Sequence, residues 1–156
     1  MPKRIYKIQG ISLGTASSNT RYGRKEDSLL VTLPQESILS GKFTSNKLKA
    51  APVKLAIENL SNSKKAKKVL LINAGNANAA TGPKGLKDVR KYCKEIALDF
   101  KISQENVIPF STGVIGEPLA TENYLSAFRE ASKGLSENKW KKAVSYTHLT
   151  LPTRLP

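Results

Sequence analysis

The chain has 156 residues and a mass of 17.0 kDa, about one domain's worth. At 39% hydrophobic and 24% charged it reads as globular, and the absence of a run of 18 apolar residues excludes a membrane-spanning helix. Basic residues number 26 against 12 acidic, a net charge of +14 that invites a nucleic-acid reading.

The location of that charge weakens the invitation. Residues 1–68 carry 14 basic and 4 acidic side chains, whereas residues 69–143 carry 11 and 8. The excess is thus a property of the first half, with one dense run at Lys64-Lys65-Ala66-Lys67-Lys68. The single Cys93 rules out an internal disulfide and a cysteine-rich metal site. The single His148 leaves no material for a histidine zinc site or a Ser-His-Asp triad. No metal is expected. The start, Met1-Pro2-Lys3-Arg4, has no apolar h-region, so the expected compartment is the cytoplasm.

In chain order, the first 45 residues read as β. Ile5, Ile8 and Ile11 are spaced apolar positions before Gly14-Thr15-Ala16. A polar connection over 20–27 leads to a strand at Leu29–Leu33, stopped by Pro34, which cannot donate to a ladder. Gly41–Thr44 reads as a short strand. Leu48, Ala51, Leu55 and Ile57 predict a helix within 47–60, running on from Pro52, since proline suits a first turn. A polar loop at Ser61–Lys65 follows. Val69–Asn73 is a continuous apolar run, as in a strand buried on both faces. From Leu86 the apolar residues fall at 86, 89, 93, 96, 97 and 100, one stripe of an amphipathic helix. Cys93 lies on that stripe and reads as a small buried hydrophobe. Val107–Phe110 is a short strand, and Thr121 is placed to cap a helix to about Lys133. Alternating strands and helices argue for a layered α/β fold.

Two segments after buried strands can carry chemistry. The first runs Asn73-Ala74-Gly75-Asn76-Ala77-Asn78-Ala79-Ala80-Thr81-Gly82. Its small residues permit close approach of backbone or ligand, and they equally suit a tight strand-to-helix connection. It has neither Gly-x-Gly-x-x-Gly nor a P-loop, so nothing supports dinucleotide or ATP binding. The second is the loop Ser111-Thr112-Gly113. A hydroxyl beside an unshielded glycine N–H can form an oxyanion hole, although Ser-Thr-Gly is also a common turn sequence.

Four segments in one order carry more than any of them alone. They are Gly10-Ile11 with Gly14-Thr15-Ala16; Phe43-Thr44-Ser45-Asn46 with Ala50-Ala51-Pro52-Val53; Ile72 through Gly82; and Val107 through Leu119. Together they closely resemble the N-terminal part of the ornithine acetyltransferase family, over about residues 7–143. The resemblance implies a layered α/β sandwich related to N-terminal-nucleophile-like hydrolases, incomplete in this chain. It implies a precursor that cuts itself before a threonine, giving an α and a β chain in an α2β2 assembly. That threonine takes acetyl from N-acetylornithine, with acetyl-CoA as a possible further donor, and passes it to glutamate. Thr112 and Gly113 match the family's oxyanion-hole pair. The Asn73–Gly82 segment matches a family motif and is read as scaffold near the site. No nucleic-acid or membrane partner is implied. An aminopeptidase of the same fold would share the nucleophile logic, but the last two motifs favour the acetyltransferase.

The pattern holds through Trp140-Lys141-Lys142-Ala143 and then breaks. Residues 144–153 read Val-Ser-Tyr-Thr-His-Leu-Thr-Leu-Pro-Thr, which matches one reading frame of a transposon-end sequencing adapter at every position. Residues 1–143 are therefore expected to be a partial α-chain region, and 144–156 a non-native tail that includes His148. The nucleophile and β chain are missing, so this chain is expected to be inactive alone, with apolar sheet surface left exposed. The competing reading is a small basic nucleic-acid-binding protein. Aromatics are only 6%, too few for an evident base-stacking platform, and no nucleic-acid-binding signature appears.

Overall fold

The computed structural model describes residues 6–62 and 65–147, with side chains described as far as 143. Ile5, Lys64, His148 and the rest of 148–156 lie outside the described residues. The strands are β1 (Ser12–Ala16), β2 (Ser28–Leu33), β3 (Lys68–Asn76) and β4 (Val107–Val114). The helices are α1 (Ala51–Asn62), α2 (Gly82–Phe100), α3 (Thr121–Lys133) and α4 (Trp140–Thr147).

One sheet has the order β1-β2-β3-β4. The first three strands run antiparallel, and β3 and β4 run parallel, joined by the α2 crossover. Side chains of β3 alternate between the two faces, as the period of two requires. Val69 and Leu71 enter the larger core with Leu30 and Val107. That face is covered by Leu55 of α1, Val89, Tyr92, Cys93 and Ile96 of α2, and Phe128 of α3. The opposite face gathers Leu13, Leu29, Val31 and Ala74 with Ala143, and Trp140 packs at its margin. The result is the expected mixed α/β layered fold.

The helices form where their sequences favour them. Pro52 sits in the first turn of α1, where its missing N–H costs nothing. The predicted stripe of α2 is its buried face: Val89, Cys93, Ile96 and Ala97. Its end is a Schellman turn, in which Ile102 N–H bonds Ala97 O and Lys101 N–H bonds Leu98 O. Lys101 takes the left-handed position usually filled by glycine, at φ 54°. Bridges Arg90–Glu58 and Arg129–Asp99 tie α2 to α1 and to α3. These pairs are exposed, so water and salt screen them and each contributes little.

Two expectations are corrected. Gly41–Thr44 is not a strand; it runs beside β4 without pairing, across a cleft of about 320 Å³. Thr121 is the first residue of α3 and not its cap, because Ala120 holds that position without a side-chain cap bond. The basic run is not solvated throughout, as Lys68 shows. That residue begins β3, is buried at 2% exposure, and gives its ammonium to Asn106 Oδ1 and Ala66 O. Its neighbour Lys67 lies over the Phe100 ring. On the sheet, Phe110 of β4 is 44% exposed.

Burial pushes the Lys68 ammonium below its usual 10.5. Native Lys68 therefore loses its proton before the unfolded chain does. The desolvation penalty is full at neutral pH and is relieved as pH climbs through the lowered native value toward 10.5. The stability of Lys68→Met, measured by urea unfolding relative to the parent chain, should accordingly fall across that window. A pH-independent difference would contradict this assignment.

Candidate functional site

Thr112 and Gly113 do not lie in a loop. They are the sixth and seventh residues of β4, and Ser111–Val114 pair in parallel with Asn73–Asn76 of β3. The ladder thus extends beyond both apolar runs. Sequence reading stopped the strands early because Asn, Ser and Gly are poor strand formers. Here they are carried by the register of the hydrophobic residues before them.

The two strands come unusually close at Gly75 and Gly113. Gly113 has φ 132° and Gly75 φ 98°, both in the region that side chains avoid. A Cβ built on Gly113 would lie 2.6 Å from Asn76 N and would also strike the Gly75 carbonyl carbon. Only glycine fits this crossing. Thr112 shares a strand face with Phe110, which pairs with Ile72, so its side chain is on the face away from α1, α2 and α3. It is half-buried, and its hydroxyl makes no hydrogen bond among the described residues. Gly113 is exposed. Among the described residues β4 is an edge of the sheet, and one side of its backbone has no strand partner there.

The asparagines behind the pair are buried and used. Ser111 Oγ donates to Asn73 Oδ1 at 2.6 Å, and Asn73 Nδ2 donates to Asn76 O at 2.8 Å. Asn76 Nδ2 donates to the carbonyls of Glu117 and Pro118, anchoring the chain that leaves β4. Asn76 Oδ1 accepts from Asn78 N, and Asn78 Nδ2 donates to Gly85 O in α2. Asn78 itself sits at φ 46°, a conformation asparagine tolerates. Its carbonyl receives the Ala51 N–H at the start of α1. Two further backbone bonds, Ala77 N–H to Val114 O and Gly116 N–H to Ala79 O, keep the segments side by side past the strand ends. The scaffold reading of Asn73–Gly82 agrees with this geometry.

Sequence reasoning missed a second support beneath β3. Asp27 is fully buried and accepts from Ser18 N, Ser18 Oγ and Ser28 Oγ. Its backbone carbonyl receives the Ala74 N–H at 2.8 Å. Tyr124 Oη donates to Ala74 O from the helix side. Burial pushes the Tyr124 phenol up, so it stays a protonated donor at neutral pH. An isolated Asp in a polar stretch gave no sign of this role. Cys93 is fully buried and burial pushes its thiol up, which agrees with its reading as an inert core residue. Among the described residues, no cluster of metal-binding side chains occurs and no helix is long and apolar enough to cross a membrane.

The model of the ArgJ family matches residues 12–152, a span that enters the segment 144–156. The arginine biosynthesis bifunctional protein ArgJ of Methylococcus capsulatus is 41% identical over 140 residues, covering 90% of this chain and 34% of that protein. The protein of the same description from Colwellia psychrerythraea is 36% identical over 154 residues, covering 93% and 36%. The chain therefore spans about a third of the length of these relatives. Among solved structures, ornithine acetyltransferase from Mycobacterium tuberculosis, crystallised with ornithine, superposes with a TM-score of 0.77 at 24% identity. That alignment covers 83% of this chain and 69% of the other. The argJ protein from Bacillus halodurans gives 0.67 at 30% identity, covering 78% and 63%.

The crossing can be tested against a second glycine of similar φ. Gly116 has φ 84° but open space where a Cβ would go. Gly116→Ala should lose only the conformational cost, about 1 kcal/mol. Gly113→Ala must also push β3 away, and should lose about 3 kcal/mol or more. Equal losses in denaturant unfolding would show that the strands are not in contact there.

Proposed function

The chain belongs to the ArgJ family, and on that premise we propose that it is part of an acetyltransferase that moves acetyl from N-acetylornithine to glutamate. The nucleophile is a threonine outside these 156 residues, at the new N-terminus of a β chain. Its hydroxyl adds to the acetyl carbonyl carbon, ornithine leaves as the free amine, and an acetyl-threonine ester remains. The glutamate amine then attacks the ester and regenerates the hydroxyl. The terminal amine of the same threonine serves as base. Acetyl-CoA is a possible second donor in the full enzyme, which works in the cytoplasm as an α2β2 assembly.

In this scheme Thr112 and Gly113 stabilise the oxyanion of each tetrahedral intermediate. One observation carries the assignment: a threonine hydroxyl without an internal partner stands beside a glycine fixed by close backbone packing on an edge strand. Donors held rigid before the reaction need no reorganisation as charge develops. Thr112 faces the less covered side of the sheet, which leaves room for a nucleophile from another part of the enzyme. Within the chain, residues 1–143 are the part that belongs to this enzyme, and 144–156 are a foreign tail.

Purified 1–156 should show no transfer of acetyl from N-acetylornithine to glutamate; measurable turnover would refute its dependence on the missing part. In the uninterrupted enzyme, Thr112→Val should lower kcat about 10²–10³-fold with little change in KM. A variant with unaltered kcat would remove Thr112 from the oxyanion hole. Resequencing the genomic locus should give codons other than those for 144–153.

A further inference from the structure

A further cleft is lined by neither Thr112 nor Gly113. It has a volume of about 700 Å³ and lies between the start of α1 and the start of α2. That size suits a small organic ligand. Its apolar surface includes Leu48, Leu86 and Ile115. Leu48 is 90% exposed and Ile115 67%, so two of the chain's most exposed large apolar side chains meet at one cleft. Its charged side chains are Lys47, Lys49 and Lys54, and no Asp or Glu lines it among the described residues. Lys49 is held in place by a bond from Nζ to Asn46 O at 2.8 Å. Neither Lys47 nor Lys54 has an ion-pair partner among the described residues.

The helix ends add to the same field. Thr81 gives its hydroxyl to Asn78 Oδ1 and makes no cap bond to α2. The first turn of α2 therefore keeps its positive end unneutralised by a side-chain cap. The Ala51 N–H of α1 is taken by Asn78 O, so α1 contributes less. Three ammonium groups in a cleft lined by no Asp or Glu call for an occupant with several negative charges. A planar carboxylate is best matched by arginine, which is absent from the cleft, whereas lysine serves phosphate as a point charge.

We propose that this cleft binds a phosphate-bearing organic anion, with its phosphates against Lys47, Lys49 and Lys54 and an apolar body along Leu48 and Ile115. The site is independent of the acetyl-transfer assignment. It uses charge complementarity for the head of the ligand and apolar burial for the body.

The test is calorimetric titration of the full 156-residue chain with inorganic pyrophosphate, isopentenyl pyrophosphate and citrate at two salt concentrations. Both pyrophosphates should bind saturably, and the isopentenyl compound at least threefold more tightly. Raising the salt should weaken both, and citrate should bind at least tenfold more weakly than pyrophosphate. Lys47→Ala/Lys54→Ala should weaken pyrophosphate binding at least tenfold, while Lys47→Arg/Lys54→Arg keeps it within threefold. Leu48→Ser should remove the advantage of the isopentenyl compound and leave pyrophosphate unchanged. These side chains are at the surface, so an unchanged melting temperature will separate loss of binding from loss of fold. The proposal is overturned by absence of saturable pyrophosphate binding, by citrate binding as tightly, or by indifference to the double alanine substitution.

Discussion

The close crossing of β3 and β4 at Gly75 and Gly113 is the constraint on which the site depends. A Cβ on Gly113 would fall into the β3 backbone, so the strands approach this tightly only with glycine there, and both residues have φ values that favour glycine. The contact fixes Gly113, and through the chain it fixes Thr112. It also holds the ends of both strands together, so that the segments beyond them continue as neighbours through Ala77–Val114 and Ala79–Gly116 bonds. The starts of α1 and α2 are then joined to the same frame by Asn78.

On its β3 side this polar junction is buried, so the hydrogen bonds there must be found within the chain. An unpaired buried polar group costs about 1–3 kcal/mol. Asn73, Asn76 and Asn78 meet that demand because an amide offers both donor and acceptor, and each is bonded on backbone or side chain. Asp27 and Tyr124 do the same for Ala74, one through its backbone and one through its phenol. These residues act on backbone and position the strand ends. The chemistry assigned to Thr112 and Gly113 depends on this rigidity, since displacement of an oxyanion donor by even 1 Å weakens its effect.

Charge is distributed by the fold in ways that a count along the chain does not show. The dense lysine run is divided: Lys68 is buried on Asn106, Lys67 covers Phe100, and Lys65 remains exposed. Arg90 and Arg129 are committed to bridges between helices. The lysines before and within the start of α1 are instead gathered on one cleft. A positive total is therefore a weak guide to partners, whereas the grouping of a few charges is a strong one.

Elements with a strong hydrophobic period were legible directly. The stripe through Val89, Cys93 and Ile96 and the apolar run at Val69–Ile72 could adopt few other structures. The order of motifs likewise sufficed to recognise the family, and those motifs include the residues of the crossing and its asparagine frame. What the sequence alone could not determine was where the strands ended. Asn73–Asn76 and Ser111–Val114 have low intrinsic strand preference, and only their mutual pairing makes them a ladder. Nor could it show that Gly41–Thr44 stays unpaired, that Lys68 is buried, or that Asp27 supports Ala74. Each of these depends on contacts between residues far apart in the chain. Local patterning determined the main elements, and the family resemblance pointed to Thr112 and Gly113; tertiary packing decided their strand conformation, their facing side and the groups that hold them there.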